Sequence, residues 1–129
     1  MCGIIGFHSG KGIRIDDTSA KQMLGVLSHR GPDAEGIYNE GELFFGHLRL
    51  SILDLSQAAN QPMHSHCGRY VMVYNGEIYN YREIQQELSR ARAGFAPRTT
   101  SDSESILEAF AQWGISFVDK LRSEERRVG

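Results

Sequence analysis

Apolar positions recur along this chain in two periods, and the change from one to the other marks out its elements. Residues 4–8 open with an apolar run that predicts a short buried strand, and Gly6 inside it predicts a close backbone approach, as in a strand lining a site. Past the Gly10-Lys11-Gly12 turn the period lengthens. Ala20, Met23, Leu24 and Leu27 fall at i, i+3, i+4 and i+7 behind the N-cap candidates Asp16-Asp17-Thr18, predicting a helix that covers a sheet. Gly31 and Pro32 end that pattern, leaving residues 28–33 as a polar loop with His29, Arg30 and Asp33. Residues 36–38 and 43–45 flank 39–42 as a β-hairpin whose second strand runs on through Ile52 and ends at Asp54. Its alternation sets Leu48, Leu50 and Ile52 on one face and Arg49 and Ser51 on the other. Arg49 is then either a solvent-facing filler or a fork awaiting a carboxylate.

Residues 56–62 read as a polar loop with Gln61-Pro62 extended. Aromatic and β-branched residues make 70–74 the strongest strand prediction, and it runs into Asn75-Gly76-Glu77. Asn-Gly after a strand usually marks a hairpin, but here a helix follows. Asn80 with Glu83 reads as a capping box, and Tyr81, Ile84, Leu88 and Ala91 recur at helical spacing. Gly94 closes that helix and 97–99 is extended. Ser101-Asp102-Ser103-Glu104 reads as a second capping box ahead of a third helix, with Ile106, Phe110 and Trp113 as its apolar face and Gly114 as its stop. Residues 115–121 form a last short amphipathic piece. Residues 122–129 turn abruptly to charge, resemble a translated sequencing-adapter read-through and are set aside as a non-native tail. The domain is then 1–121, and the chain a truncated fragment.

The composition narrows the class. With 129 residues, 40% hydrophobic and 23% charged, the chain fits one globular domain or part of one. A net charge of −2 leaves no basic patch for nucleic acid, and no apolar run approaches membrane-spanning length. No charged segment leads into an apolar stretch at the start, so the expected location is cytoplasmic, with Cys2 and Cys67 as thiols.

Candidate chemistry begins at Cys2. Excision of Met1, which a small second residue permits, puts a thiol and an α-amine on one residue. A thiol of pKa about 8.5 is a fair nucleophile at neutral pH, and an α-amine of about 7.7–8.0 can take its proton. The plainer alternative is a small residue ahead of a strand. His64, His66 and Cys67 include a His-x-His pair suited to zinc, but without a clear fourth ligand no metal site is assigned.

Five blocks, in order and spacing, carry a resemblance: Met1-Cys2-Gly3-Ile4-Ile5-Gly6, His29-Arg30-Gly31-Pro32-Asp33, Arg49-Leu50-Ser51-Ile52, Asn75-Gly76-Glu77-Ile78-Tyr79-Asn80 and Ser101-Asp102-Ser103-Glu104. Together they resemble class II glutamine amidotransferases, above all the glutaminase domain of glutamine-hydrolysing asparagine synthetases. The resemblance implies an α+β fold of the N-terminal nucleophile hydrolase type, an αββα sandwich of two antiparallel sheets, incomplete here. It implies that Cys2 attacks the glutamine side-chain amide to form a γ-glutamyl thioester, its α-amine relaying protons. Asn75 and the Gly76 N–H would supply the oxyanion donors, and Arg49 would hold the α-carboxylate. Glu77 and Asp102 would meet the α-ammonium, and the backbone of Leu50, Ser51, Ile52 and Leu53 would line the amide pocket. Taken singly, Asn75-Gly76 is also a hairpin turn, Glu77 an acid at a helix start and Asp102 a helix-dipole partner. The His29-Arg30 loop is read as structural support, since this chemistry needs no Cys-His dyad.

The chain contains no Ser-Gly-Gly-x-Asp pyrophosphate loop. The resemblance therefore implies cofactor-free chemistry in this portion, with ATP and magnesium serving a C-terminal synthetase domain in cis that receives the ammonia. The expected partners are glutamine and that domain, with a homodimer left open. Rivals are amidotransferases for amino-sugar or purine synthesis, or for surface-polysaccharide or peptide modification, and a non-catalytic interaction module.

Overall fold

The computed structural model describes residues 2–50 and 56–122. Two compact units emerge: one holds residues 1–55, 60–63 and 72–75, the other 56–59, 64–71 and 76–129. The fold is α+β with antiparallel pairing.

The first unit is a three-stranded sheet with a helix on it. Strand β1 (Gly3–His8), helix α1 (Asp17–Val26), strand β2 (Ala34–Glu40) and strand β3 (Leu43–Arg49) follow in chain order, and the sheet order is β1-β3-β2. Antiparallel registers join Gly3 to Leu48 and Ala34 to Arg49. Asp16 caps α1 as its sequence predicts, accepting the Ser19 N–H at 2.8 Å, and Ala20 and Leu24 are buried over β3 with Phe44 and Leu48 beside them. The hairpin loop is tighter than expected. Gly41, with φ +61°, lets the chain reverse between Glu40 and Leu43, so Asn39 and Glu40 join the strand.

Two expectations for this unit are corrected. β1 is half-buried rather than buried, with Ile4 38% exposed, because it lies at the sheet edge. Gly6 is no close approach, since a Cβ there would meet the Phe45 ring at an ordinary 3.6 Å. Close approaches lie instead at Gly36 and at buried Gly31, where a Cβ would collide with the carbonyls of Gln61 and Leu48, respectively. β3 ends at Arg49, and the expected continuation to Asp54 falls outside the described residues.

A second, two-stranded sheet pairs β4 (Met63–His64) with β5 (Val71–Met72), each strand with one residue in either unit. The predicted strand over 70–74 thus shrinks to two residues. The backbone around it is satisfied locally: the Tyr70 N–H donates to Ser65 Oγ, and the Tyr74 N–H to Gln61 Oε1.

The second unit is built on two helices, α2 (Tyr81–Ala91) and α3 (Asp102–Trp113), followed by a 3₁₀ turn over Gly114–Lys120. Ile84 and Leu88 of α2 are fully buried, as their spacing predicts, and Gly114, with φ +62°, ends α3. Gly94 lies in the turn beyond α2, which already ends at Ala91, and residues 98–100 bend rather than extend. The α3 face is wider than Ile106, Phe110 and Trp113, because every residue from Asp102 to Ala109 is buried. In the 3₁₀ turn Phe117 packs edge-on to Phe110 at 5.9 Å, while Ile115 and Val118 are exposed.

Neither capping box forms in full. Asn80 stands at the start of α2 but makes no cap; its amide donates to the Lys120 carbonyl at 2.8 Å and accepts the Arg122 N–H at 2.7 Å. Ser101 caps α3 by accepting the Glu104 N–H at 3.4 Å. The Glu104 carboxylate turns away, taking the N–H groups of Arg98 at 2.9 Å and Thr99 at 2.7 Å and facing His66 Nε2 at 2.7 Å.

Candidate active site

The pairing of β1 with β3 brings the first described residue to the end of β3. Because Gly3 stands opposite Leu48, antiparallel geometry sets Cys2 beside Arg49 and Leu50, the latter 48 positions away in the chain. The Leu50 N–H points at Cys2 Sγ from 3.3 Å, and the Leu50 carbonyl lies 3.7 Å from the same sulfur.

The Cys2 carbonyl oxygen accepts from Arg30 Nε at 3.4 Å and from Asn75 Nδ2 at 3.2 Å. The loop after α1 thus serves as support through Arg30, while His29 is exposed. Arg49 is 8% exposed, which rules out the solvent-facing filler, and its Nη1 donates to Asn60 Oδ1 at 2.7 Å. Its carbonyl accepts the Asp33 N–H at 3.0 Å, tying the Arg30-Gly31-Pro32-Asp33 loop to the strand end. Cys2, Arg49, Leu50 and Asn75 therefore belong to the first unit.

Gly76, Glu77 and Asp102 belong to the second. Gly76 and Glu77 are exposed, and Glu77 stands ahead of α2, outside its first turn, so it is not an acid of the helix start. Asp102 opens α3, is 6% exposed, and accepts the Ile78 N–H on Oδ2 at 2.9 Å. That bond ties Asp102 to the residue next to Glu77 within their unit. Burial, the largest influence on Asp102, pushes its carboxyl above the usual carboxylate pKa against the N–H groups that pull it down. Ser51, Ile52 and Leu53 lie outside the described residues.

Three residues at this site escape a motif reading: His47, Asn60 and Gln61. His47 is 1% exposed, and its Nε2 lies 3.3 Å from the Tyr74 carbonyl. The sequence held a partial signal for it, since alternation along the strand sets His47 on the face of Arg49. His66, one of the zinc candidates, is engaged by Glu104, and no cluster of three or more metal-binding side chains occurs among the described residues. No helix there is long and apolar enough to cross a membrane.

Residues 1–123 match the glutamine amidotransferase domain family. An asparagine synthetase (glutamine-hydrolysing) of Bacillus subtilis is 37% identical over 94% of this chain. One of Arabidopsis thaliana is 34% identical over 94%. An amidase of Penicillium rubens is 35% identical over 96%. The chain spans about a fifth of the length of each of these relatives (20% in each). With the match running from Cys2 through Arg49 and Asn75 to Asp102, the chain belongs to the glutamine amidotransferase domain family.

Proposed function

We propose that this domain hydrolyses glutamine to glutamate and ammonia through a γ-glutamyl thioester on Cys2, within an αββα sandwich of the N-terminal nucleophile hydrolase type. The ammonia feeds ATP-dependent synthesis of asparagine from aspartate in a synthetase domain of the full-length protein; the Bacillus and Arabidopsis relatives are named glutamine-hydrolysing asparagine synthetases. The observation that carries this reading is the meeting of Asn75 with Cys2, 73 positions apart, at the sulfur-bearing end of β1.

With Met1 removed, the Cys2 α-amine takes the thiol proton, and the thiolate adds to the amide carbon of glutamine. The oxyanion that forms is met by the Asn75 amide and the Gly76 N–H, each donor being worth about 3–4 kcal/mol. The carbon–nitrogen bond breaks as the Cys2 ammonium protonates the leaving nitrogen, releasing ammonia. Water, deprotonated by the same amine, then adds to the thioester, and glutamate leaves as the thiol is restored. Arg49 forks the substrate α-carboxylate, Glu77 and Asp102 meet its α-ammonium, and the backbone of residues 50–53 lines the amide pocket. ATP and magnesium serve the synthetase domain, and no step above passes through them.

The amidase of Penicillium rubens favours a second reading for the acceptor half, in which the same glutaminase chemistry supplies a reaction other than asparagine synthesis. Glutamate release by the full-length protein and its Cys2→Ala variant, with mass spectrometry of the N-terminus, tests the glutaminase reading. Met1 is expected to be absent and Cys2→Ala inactive with glutamine. Retained Met1 or an active Cys2→Ala enzyme overturns it.

A further inference from the structure

We infer that His47 and Gln61 are positioning residues that aim the Asn75 side chain, by gripping Tyr74 at both its backbone N–H and its carbonyl. The inference rests on the role proposed for Asn75. Asn75 is exposed and follows β5, whose ladder ends at Met72, so among the described residues sheet pairing stops short of 73–75. Two buried side chains hold Tyr74 there. The Tyr74 N–H donates to Gln61 Oε1, and the Tyr74 carbonyl faces His47 Nε2 at 3.3 Å, with Gln61 7% and His47 1% exposed.

The Tyr74 carbonyl and the Asn75 nitrogen share one rigid peptide plane. Holding that carbonyl therefore fixes the plane from which the Asn75 Cα and side chain project, and with it the line from the Asn75 amide to Cys2. A carbonyl only accepts, so His47 carries its proton on Nε2. Its Nδ1 is buried with no hydrogen-bond partner among the described residues, which suits a bare ring nitrogen and not a second N–H. Burial also holds the imidazole pKa below its ordinary value, against the Tyr74 hydrogen bond that raises it and with Arg49 lowering it further. The neutral Nε2–H form is thus fixed by its surroundings.

The test compares His47→Leu, which removes the donor, with His47→Gln, whose side-chain amide restores one, in the full-length protein. His47→Leu is expected to lower kcat for glutamine hydrolysis about 10- to 100-fold, part of the loss that follows deleting an oxyanion donor outright, with KM within twofold. His47→Gln is expected to recover most of that loss. In an Asn75→Ala background His47→Leu is expected to cost little more, because both changes remove the same aimed amide. A folded His47→Leu enzyme with unchanged kcat, or with a full further loss on top of Asn75→Ala, overturns the inference. Full kcat in Asn75→Ala alone overturns the underlying role of Asn75 instead. Should His47→Leu fail to fold, Gln61→Met carries the same comparison with the same outcomes.

Discussion

Replacing Asp102 with Asn separates the cost of this residue to folding from its proposed use in binding. The amide oxygen of Asn can still accept the Ile78 N–H that Asp102 takes at 2.9 Å, so the main change is loss of a buried charge. Burial raises the folded pKa of Asp102 above 3.8. Between 3.8 and that raised value the folded chain holds a proton the unfolded chain has lost, so stability falls as pH rises through the window. Above it, ionised Asp102 weighs against the folded state, and Asn carries no such cost. Asp102→Asn is therefore expected to unfold at pH 7 at the same or a higher Tm, with a flatter stability curve across the acid window. Activity should move the other way. One hydrogen bond to a charged group contributes about 1.5–3 kcal/mol, so losing the ammonium contact should lower kcat/KM by about 10- to 150-fold, mostly through KM. Thermal unfolding followed by circular dichroism from pH 4 to 8, with steady-state glutamate release, reads both. A Tm several degrees lower at pH 7 together with unchanged kcat/KM would refute the reasoning on both counts.

Glu104 should behave oppositely. Burial pushes its carboxyl up, but the Arg98 N–H, His66 and Thr99 outweigh burial and hold it below 4.5, so its stabilisation is present above 4.5 and lost as pH falls through the lowered value. Glu104→Gln turns an amide N–H₂ toward donors and is expected to cost about 3–5 kcal/mol in urea unfolding; a loss under 1 kcal/mol would contradict this. Gly31→Ala drives a methyl group into the Leu48 carbonyl and should cost about 1–3 kcal/mol by the same assay, while a neutral result would mean the loop moves freely. Arg49→Lys keeps the charge and loses the fork, so KM for glutamine should rise about tenfold or more, and an unchanged KM would remove Arg49 from the carboxylate site.

What could be read from the sequence divides by range. Signals decided within ten residues held: the Asp16 cap and apolar face of α1, the start of α3 at Asp102, and its stop at Gly114. Properties set by distant neighbours did not. The apolar run 4–7 looked buried, but β1 is half-exposed because it lies at a sheet edge, which no local window reveals. Residues 70–74 have strong strand chemistry, yet side chains of Gln61 and Ser65 take N–H groups a ladder would have used. Asn80 and Glu104 carry capping-box spelling, but distant partners, Lys120 and Arg122 for Asn80 and His66 for Glu104, engage their side chains. The candidate site was legible where a residue type itself carries the chemistry, as at Cys2, Arg49 and Asn75. It was illegible where ordinary residues acquire a role from position, as Asn60 does beside Arg49 and Gln61 at the Tyr74 N–H.

The central claim is that Cys2, and not the other thiol, is the nucleophile. Cys67 is the demanding control, since it is exposed and a hydrogen bond from Ser65 lowers its pKa toward the reactive form. Full-length protein treated with an electrophilic glutamine analogue and mapped by peptide mass spectrometry compares the two directly. Rapid single labelling at an N-terminal Cys2, slowed by excess glutamine, is expected, with Cys67 untouched on the same time scale. Labelling of Cys67 as fast as Cys2, or labelling of Cys2 that glutamine fails to slow, would contradict it.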